Sequence, residues 1–142
     1  MTKKNLLVQI VVADYYKVIT DSLTNAATKC LKQNSIKYEI IKVPGVYEIP
    51  QFINWKLSSK KINLFIALGC VIKGDTYHFE VISDAVGQSL LDISISNPKT
   101  IITNGIINSY SGAQAKKRSK ADSKNKGFEA ASAMVRMIEC LI

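Results

Sequence analysis

Between Asn63 and Ile72 the chain reads NLFIALGCVI, with almost no polar side chain. A strand buried on both faces of a parallel sheet needs that pattern. Leu6 to Ala13 is also apolar and β-branched and reads as another buried strand. Ile36 to Val43 alternates, with Ile36, Tyr38, Ile40 and Lys42 on one side, until Pro44-Gly45 turns the chain. Thr100 to Ile107 gives a fourth strand. Between these runs the apolar period changes to that of a helix. Thr20 to Gln33 places Leu23, Ala26, Ala27, Cys30 and Leu31 at helical spacing. Glu48 to Ser59 does the same with Ile49, Phe52, Ile53 and Leu57, and its Pro50 fits only the first turn. Glu80 to Ile95 is a further helix, amphipathic over Val81 to Ile93 through Val81, Ile82, Ala85, Val86, Ser89, Leu90 and Ile93, and Asn97-Pro98 breaks the chain after it. Ser111 to Ser119 reads as a short helix, and Phe128 to Leu141 as a last one with Ala131, Met134, Met137, Ile138 and Leu141 apolar. Strands alternating with helices predict an α/β sandwich with a four-stranded parallel sheet and right-handed crossovers. Residues 1–142 read as one domain, without internal repeat, low-complexity segment or linker.

Composition narrows the setting. At 47% hydrophobic the chain has enough apolar residues for a sizeable core. No stretch reaches the roughly 18 uninterrupted apolar residues of a membrane helix. Lys3-Lys4 followed by Leu6 to Val12 has the outline of a secretion signal. Gln9 interrupts it, however, and Asp14-Tyr15-Tyr16 stands where small residues should mark cleavage, so the first strand is the better reading. The odd count of widely spaced cysteines, Cys30, Cys70 and Cys140, suits neither a disulfide framework nor a metal site. They read as small core residues in a reducing cytoplasm. The high apolar share, with Tyr and Ile recurring in loops, favours an oligomer. Net charge is +8. Much of it lies in one run, Lys116, Lys117, Arg118, Lys120, Lys124 and Lys126, opposed only by Asp122. Such a run serves as a solvated loop, as a partner for a phosphate-bearing small substrate, or as a nucleic-acid contact. No aromatic residue interleaves it, which weighs against single-stranded nucleic acid.

The candidate chemistry lies where strands hand over to helices. His78 is the one histidine, and histidine is the side chain that ordinarily titrates near neutrality. It follows the buried strand on the loop Lys73-Gly74-Asp75-Thr76-Tyr77, at the sheet edge where open parallel sheets bind ligands. Backbone N–H groups at the coming helix start suit a phosphate, although Asp75 and Thr76 are also ordinary capping residues. A lone histidine leaves acid–base catalysis rather than a multi-histidine metal site. Glu48, after the second strand, either starts a helix or accepts hydrogen bonds from substrate hydroxyls at the same edge. Tyr15, after the first strand, is either a surface aromatic or a platform for a flat heterocycle. Arg118 offers a phosphate the planar fork that a lysine lacks.

Taken together these segments resemble one family. Val43-Pro44-Gly45-Val46-Tyr47-Glu48-Ile49-Pro50 resembles its V-P-G-[A]-[FY]-E-I-P segment. Ala67 to Glu80 (ALGCVIKGDTYHFE) resembles its A-L-G-x-V-I-[RK]-G-x-T-x-H-[FY]-[DE] segment. Gln114-Ala115 with Arg118, then Asn125-Lys126-Gly127-Phe128-Glu129-Ala130-Ala131, resembles its Q-A-x-x-R…N-K-G-x-E-A-A tail. The family is lumazine synthase (6,7-dimethyl-8-ribityllumazine synthase), the penultimate enzyme of riboflavin biosynthesis, and the resemblance covers nearly the whole chain.

The resemblance implies a flavodoxin-like three-layer αβα sandwich that assembles as pentamers, decamers or an icosahedral shell with sites at subunit interfaces. It implies condensation of 5-amino-6-(D-ribitylamino)uracil with 3,4-dihydroxy-2-butanone 4-phosphate, without metal or cofactor. Carried onto matching positions, Tyr15 would stack on the pyrimidine. Val46, Tyr47 and Glu48 would line the ribityl side, and the backbone of Val71, Ile72 and Lys73 would face the uracil edge. Gly74, Asp75 and Thr76 with Arg118 would hold the phosphate, His78 would shuttle protons, and Lys126 would sit near the uracil carbonyl or the phosphate. The chain departs from the pattern at Asn104, where the family often has an aromatic from the neighbouring subunit. It departs again at Ala113, where an acidic residue often precedes Gln-Ala. Two other functions share some of these features. An archaeal-type riboflavin synthase shares the fold, but the intact Gly74-to-His78 segment with Arg118 argues against it. A flavin- or nucleic-acid-binding scaffold draws on the +8 charge alone.

Overall fold

The computed structural model describes residues 2–142. Four strands, β1 (Leu7–Ala13), β2 (Lys37–Val43), β3 (Asn63–Ile72) and β4 (Thr100–Ser109), pair in parallel in the order β2-β1-β3-β4. Five helices accompany them: α1 (Lys17–Gln33), α2 (Ile49–Lys56), α3 (His78–Ser96), α4 (Gly112–Arg118) and α5 (Lys126–Leu141). The sheet is the middle of three layers. On one side Val8, Ile10 and Val12 of β1 meet Leu23, Ala27 and Leu31 of α1 and Met134 and Ile138 of α5, all buried. On the other side Val11, Ala13, Phe65 and Ala67 meet Ile49 and Ile53 of α2 and Phe79, Ile82, Val86 and Leu90 of α3. Alternate residues of β1 thus feed two different cores, which is why the strand has to be apolar at nearly every position.

The central strand β3 runs from Asn63 to Ile72 as its composition predicts, and all but Ile72 are buried. Asn63 is tolerated there because its amide is used: Nδ2 donates to the Ser58 carbonyl and Oδ1 accepts from the Ser58 N–H, both at 2.9 Å.

Several boundaries and burial expectations differ from the sequence reading. α1 begins at Lys17 rather than Thr20, where Lys17 pairs with Asp21 one turn on at 2.9 Å. The predicted helix from Glu48 to Ser59 splits into a 3₁₀ turn, Val46–Glu48, and α2, which stops at Lys56 because Leu57 is extended. Pro50 does sit in the first turn of α2. α3 begins at His78, two residues before the expected start, so the histidine is the first helical residue rather than a loop residue. β4 runs on to Ser109 and α5 starts at Lys126. Ile40 is exposed because β2 is an edge strand with helices covering little of it. Val81, Met137 and Leu141 are exposed as well. Of the three cysteines Cys30 and Cys70 are buried, but Cys140 faces outward, contrary to the core reading. Among the described residues no helix is long and apolar enough to cross a membrane.

Candidate functional site

All four strands point their carboxyl ends to one edge, so the segments after them share that edge. Between the loops after β1 and β2 and the end of β3 lies a cavity of about 350 Å³. The structure brings Tyr15, Val46, Tyr47, Glu48, Val71, Ile72 and His78 together in its wall, joined by Tyr16, Gly45, Cys70 and Ile82. Tyr15 is 78% exposed and stands edge-on to Tyr16, ring centroids 5.0 Å apart and planes at 83°. Its outer face is therefore free for a flat partner. Val46 is buried beneath the 3₁₀ turn, whereas Tyr47 and Glu48 are exposed upon it. The Glu48 N–H donates to the Gly45 carbonyl at 3.2 Å, closing the turn. A Cβ at Gly45 would stand 2.9 Å from Glu48 Oε2, so the glycine makes room for the carboxylate. His78 is exposed at the head of α3.

The loop from Lys73 to Tyr77 crosses toward β4. The Lys73 N–H donates to the Ser109 carbonyl at 2.9 Å, its Nζ stands 3.7 Å from Glu80 Oε1, and it also lies 5.7 Å above the Tyr110 ring. Gly74, Asp75 and Thr76 are exposed. Neither Asp75 nor Thr76 caps α3: the capping position is Tyr77, and no side chain bonds the first-turn N–H groups there. The positive end of a 19-residue helix therefore stays available to an anion.

Arg118 and Lys126 are not part of this cavity. They line a second one, of about 620 Å³, with Asn108, Tyr110, Gln114, Lys117 and Glu129 beside β4. Lys126 Nζ is 3.8 Å from Glu129 Oε2. Asn104 belongs to neither cavity. It is exposed in the middle of β4, opposite Ala67, and its Oδ1 accepts from the Ile106 N–H at 2.9 Å, which leaves its Nδ2 donors outward.

Sequence reasoning missed Tyr16, Cys70 and Ile82 in the first cavity and Tyr110 and Gln114 in the second. Cys70 and Ile82 fit the core pattern of β3 and α3, so nothing marked them. Burial pushes the Cys70 thiol up to about 11, so it faces the cavity as a neutral group. Tyr110 carries a signal in the sequence: it is an aromatic residue directly after β4, much as Tyr15 stands two residues after β1. Among the described residues no cluster of three His, Cys, Asp or Glu side chains is placed to hold a metal ion.

Comparison with known proteins adds a family. The family model described as 6,7-dimethyl-8-ribityllumazine synthase matches residues 5–141. A 6,7-dimethyl-8-ribityllumazine synthase of Bartonella henselae is 41% identical over 137 residues, covering 95% of this chain and 88% of that protein. One of Afipia carboxidovorans is 41% identical over 136 residues, with 92% and 83% covered. One of Agrobacterium fabrum is 37% identical over 144 residues, with 98% and 95% covered.

Proposed function

Given that the chain belongs to the 6,7-dimethyl-8-ribityllumazine synthase family of riboflavin biosynthesis, we propose that its two edge cavities are the two halves of a condensation site, completed between neighbouring copies of the chain. The reaction joins 5-amino-6-(D-ribitylamino)uracil to 3,4-dihydroxy-2-butanone 4-phosphate. The 5-amino nitrogen attacks the ketone carbon, and water leaves as the imine forms. Loss of the C3 proton then expels phosphate and leaves an enol, which takes up a proton at the terminal carbon to become a ketone at C3. The ribityl-bearing nitrogen closes the ring on this new carbonyl with loss of a second water.

Each step moves a proton, and His78 is the group on the cavity wall suited to carry it. Tyr15 stacks on the pyrimidine, and Val46, Tyr47 and Glu48 take the ribityl chain, whose hydroxyls donate to the Glu48 carboxylate. The backbone of Val71 to Lys73 meets the uracil edge. Gly74, Asp75 and Thr76 hold the phosphate over the uncapped start of α3, and Arg118 and Lys126 of a second copy close on it. Asn104 of that second copy turns its free Nδ2 toward the base. Most of the rate comes from holding the two reactants together, for which effective molarities reach about 10⁵–10⁸ M.

The observation that carries this reading is the split itself: the family resemblance assigns His78 and Arg118 to one reaction, yet the two line different cavities of one chain. A second copy resolves it. Exposed apolar side chains support association, among them Trp55, Val81, Leu91 and Ile95 on α2 and α3. A pentamer is the closed ring that repeats one such contact, and decamers or a shell are larger assemblies of the same unit. A cytoplasmic setting accords with the free thiols of Cys30, Cys70 and Cys140.

The test is an assay of the purified chain with both substrates, following lumazine by absorbance and fluorescence together with released phosphate. Equal amounts of the two are expected. His78→Ala is expected to slow turnover by about 10²-fold or more, and Arg118→Ala to raise the KM of the phosphate substrate. Unchanged rates in both variants, with the fold intact, would refute the assignment.

A further inference from the structure

Arg118 ends α4 and Lys126 begins α5, and the residues between them form neither helix nor strand. Irregular loops are where spacing is least fixed. Here one side chain spans the gap. Asn125 is fully buried. Its Nδ2 donates to the Ser119 carbonyl at 2.9 Å, and its Oδ1 accepts from the N–H groups of Gly127 at 2.8 Å and Phe128 at 3.1 Å. Ser119 directly follows Arg118 and Gly127 directly follows Lys126, so one amide grips the backbone beside each cation. The α5 end of this bridge is itself fixed. Gly127 packs so closely on α1 that a Cβ there would run into the backbone of Leu23.

We infer that Asn125 is a positioning residue for the phosphate substrate: it sets the spacing of Arg118 and Lys126 by tying the end of α4 to the start of α5. The inference rests on the phosphate role proposed above for those two cations. It adds a residue that reaches no substrate and that acts through the geometry of the pair. A displacement of about 1 Å at such a pair is enough to cost up to 10²-fold.

The experiment uses Asn125→Ser and Asn125→Asp in the full-length enzyme. Both keep an oxygen to cap α5. The serine hydroxyl is too short to span to the Ser119 carbonyl and the ionised aspartate has no donor, so α4 is released. Asn125→Ser, which buries no charge, is the variant that keeps the fold. In both, the KM for the butanone phosphate and the inhibition constant of inorganic phosphate are expected to rise about tenfold. The KM for the aminouracil should stay within about twofold, with unchanged circular dichroism. An unmoved phosphate KM, an equal rise in both KM values, or a fall in kcat alone would overturn the inference. A rise confined to Asn125→Asp would overturn it too, because added charge would then be the cause. Arg118→Ala run in parallel separates the two levels. If it leaves the phosphate KM unmoved, the phosphate role and this inference fall together. If it raises the KM while Asn125→Ser does not, only the role of Asn125 falls.

Discussion

Gly69→Ala tests whether the packing beneath the cavity governs its chemistry. Gly69 lies in β3, and a Cβ there would stand 2.7 Å from Val46 Cγ2 and 3.5 Å from Ala13 Cβ. The first distance is about 0.7 Å short of the 3.4 Å at which ordinary contact begins. Ala13 is fixed inside β1, so Val46 has to yield, and Val46 is a wall of the cavity. Overpacking of this kind costs about 1–3 kcal/mol. Gly69 does not adopt a positive φ, so alanine suits its backbone and returns about 0.4–1 kcal/mol through the unfolded chain. The net expectation is a loss of about 1 kcal/mol, a melting temperature lower by about 4 °C. Activity should suffer more: a wall moved by most of an ångström is expected to raise the aminouracil KM by about tenfold or more. Thermal melts by circular dichroism and steady-state kinetics on the same samples measure both. Adding Val46→Ala removes the clashing methyls, and the double variant should recover about 1 kcal/mol relative to additivity. A Gly69→Ala enzyme with wild-type KM, or a double variant that is merely additive, would refute the reasoning.

Thr103→Val should raise the melting temperature by about 4 °C, or about 1 kcal/mol, because the buried Thr103 Oγ1 has no hydrogen-bond partner; a lower melting temperature would contradict this. Ellman's reagent at pH 8 should titrate Cys140 in the folded protein, and Cys30 and Cys70 only after denaturation. Because burial raises Cys70 from 9.0 to about 11, the folded state keeps that proton where the unfolded chain loses it, so stability should fall as pH rises from 9 toward 11. Trp55, the one tryptophan, is 70% exposed in the isolated chain. Association over α2 should shift its emission to the blue on raising concentration, and Trp55→Lys should weaken the assembly; emission independent of concentration and assembly would place the interface elsewhere.

The elements most legible in the sequence were those with the least choice. The bounds of β3 are legible because a strand buried on two faces tolerates no unpaired polar break: Asn63, its amide satisfied by Ser58, opens it and Lys73 follows it. The first turn of α1 extends the apolar period through Ile19, buried four residues before Leu23, while its Lys17–Asp21 ion pair lies on the surface and leaves no apolar mark of where the helix begins. Ile40, Met137 and Leu141 follow the apolar pattern yet are exposed, because alternation and helical spacing give a face, not what covers it. The first cavity was legible because its residues follow three strands that must end together. The separation of Arg118 and Lys126 from His78 was not, since it depends on β4 lying at the sheet edge, a matter of strand order. The uncapped start of α3 was also hidden: Asp75 and Thr76 are good capping residues that the chain does not use as caps.

The most direct measurement mixes two impaired enzymes. His78→Ala and Arg118→Ala chains are unfolded together, refolded at equal concentration and assayed for lumazine at a butanone phosphate concentration far below the raised KM of Arg118→Ala, where both parents are slow. If the site is shared between neighbouring copies, about a quarter of the sites in random rings draw both intact residues and activity returns to about that fraction. If His78 and Arg118 act within one chain, the mixture stays as slow as the mean of its parts, and the account of a site completed between copies is wrong.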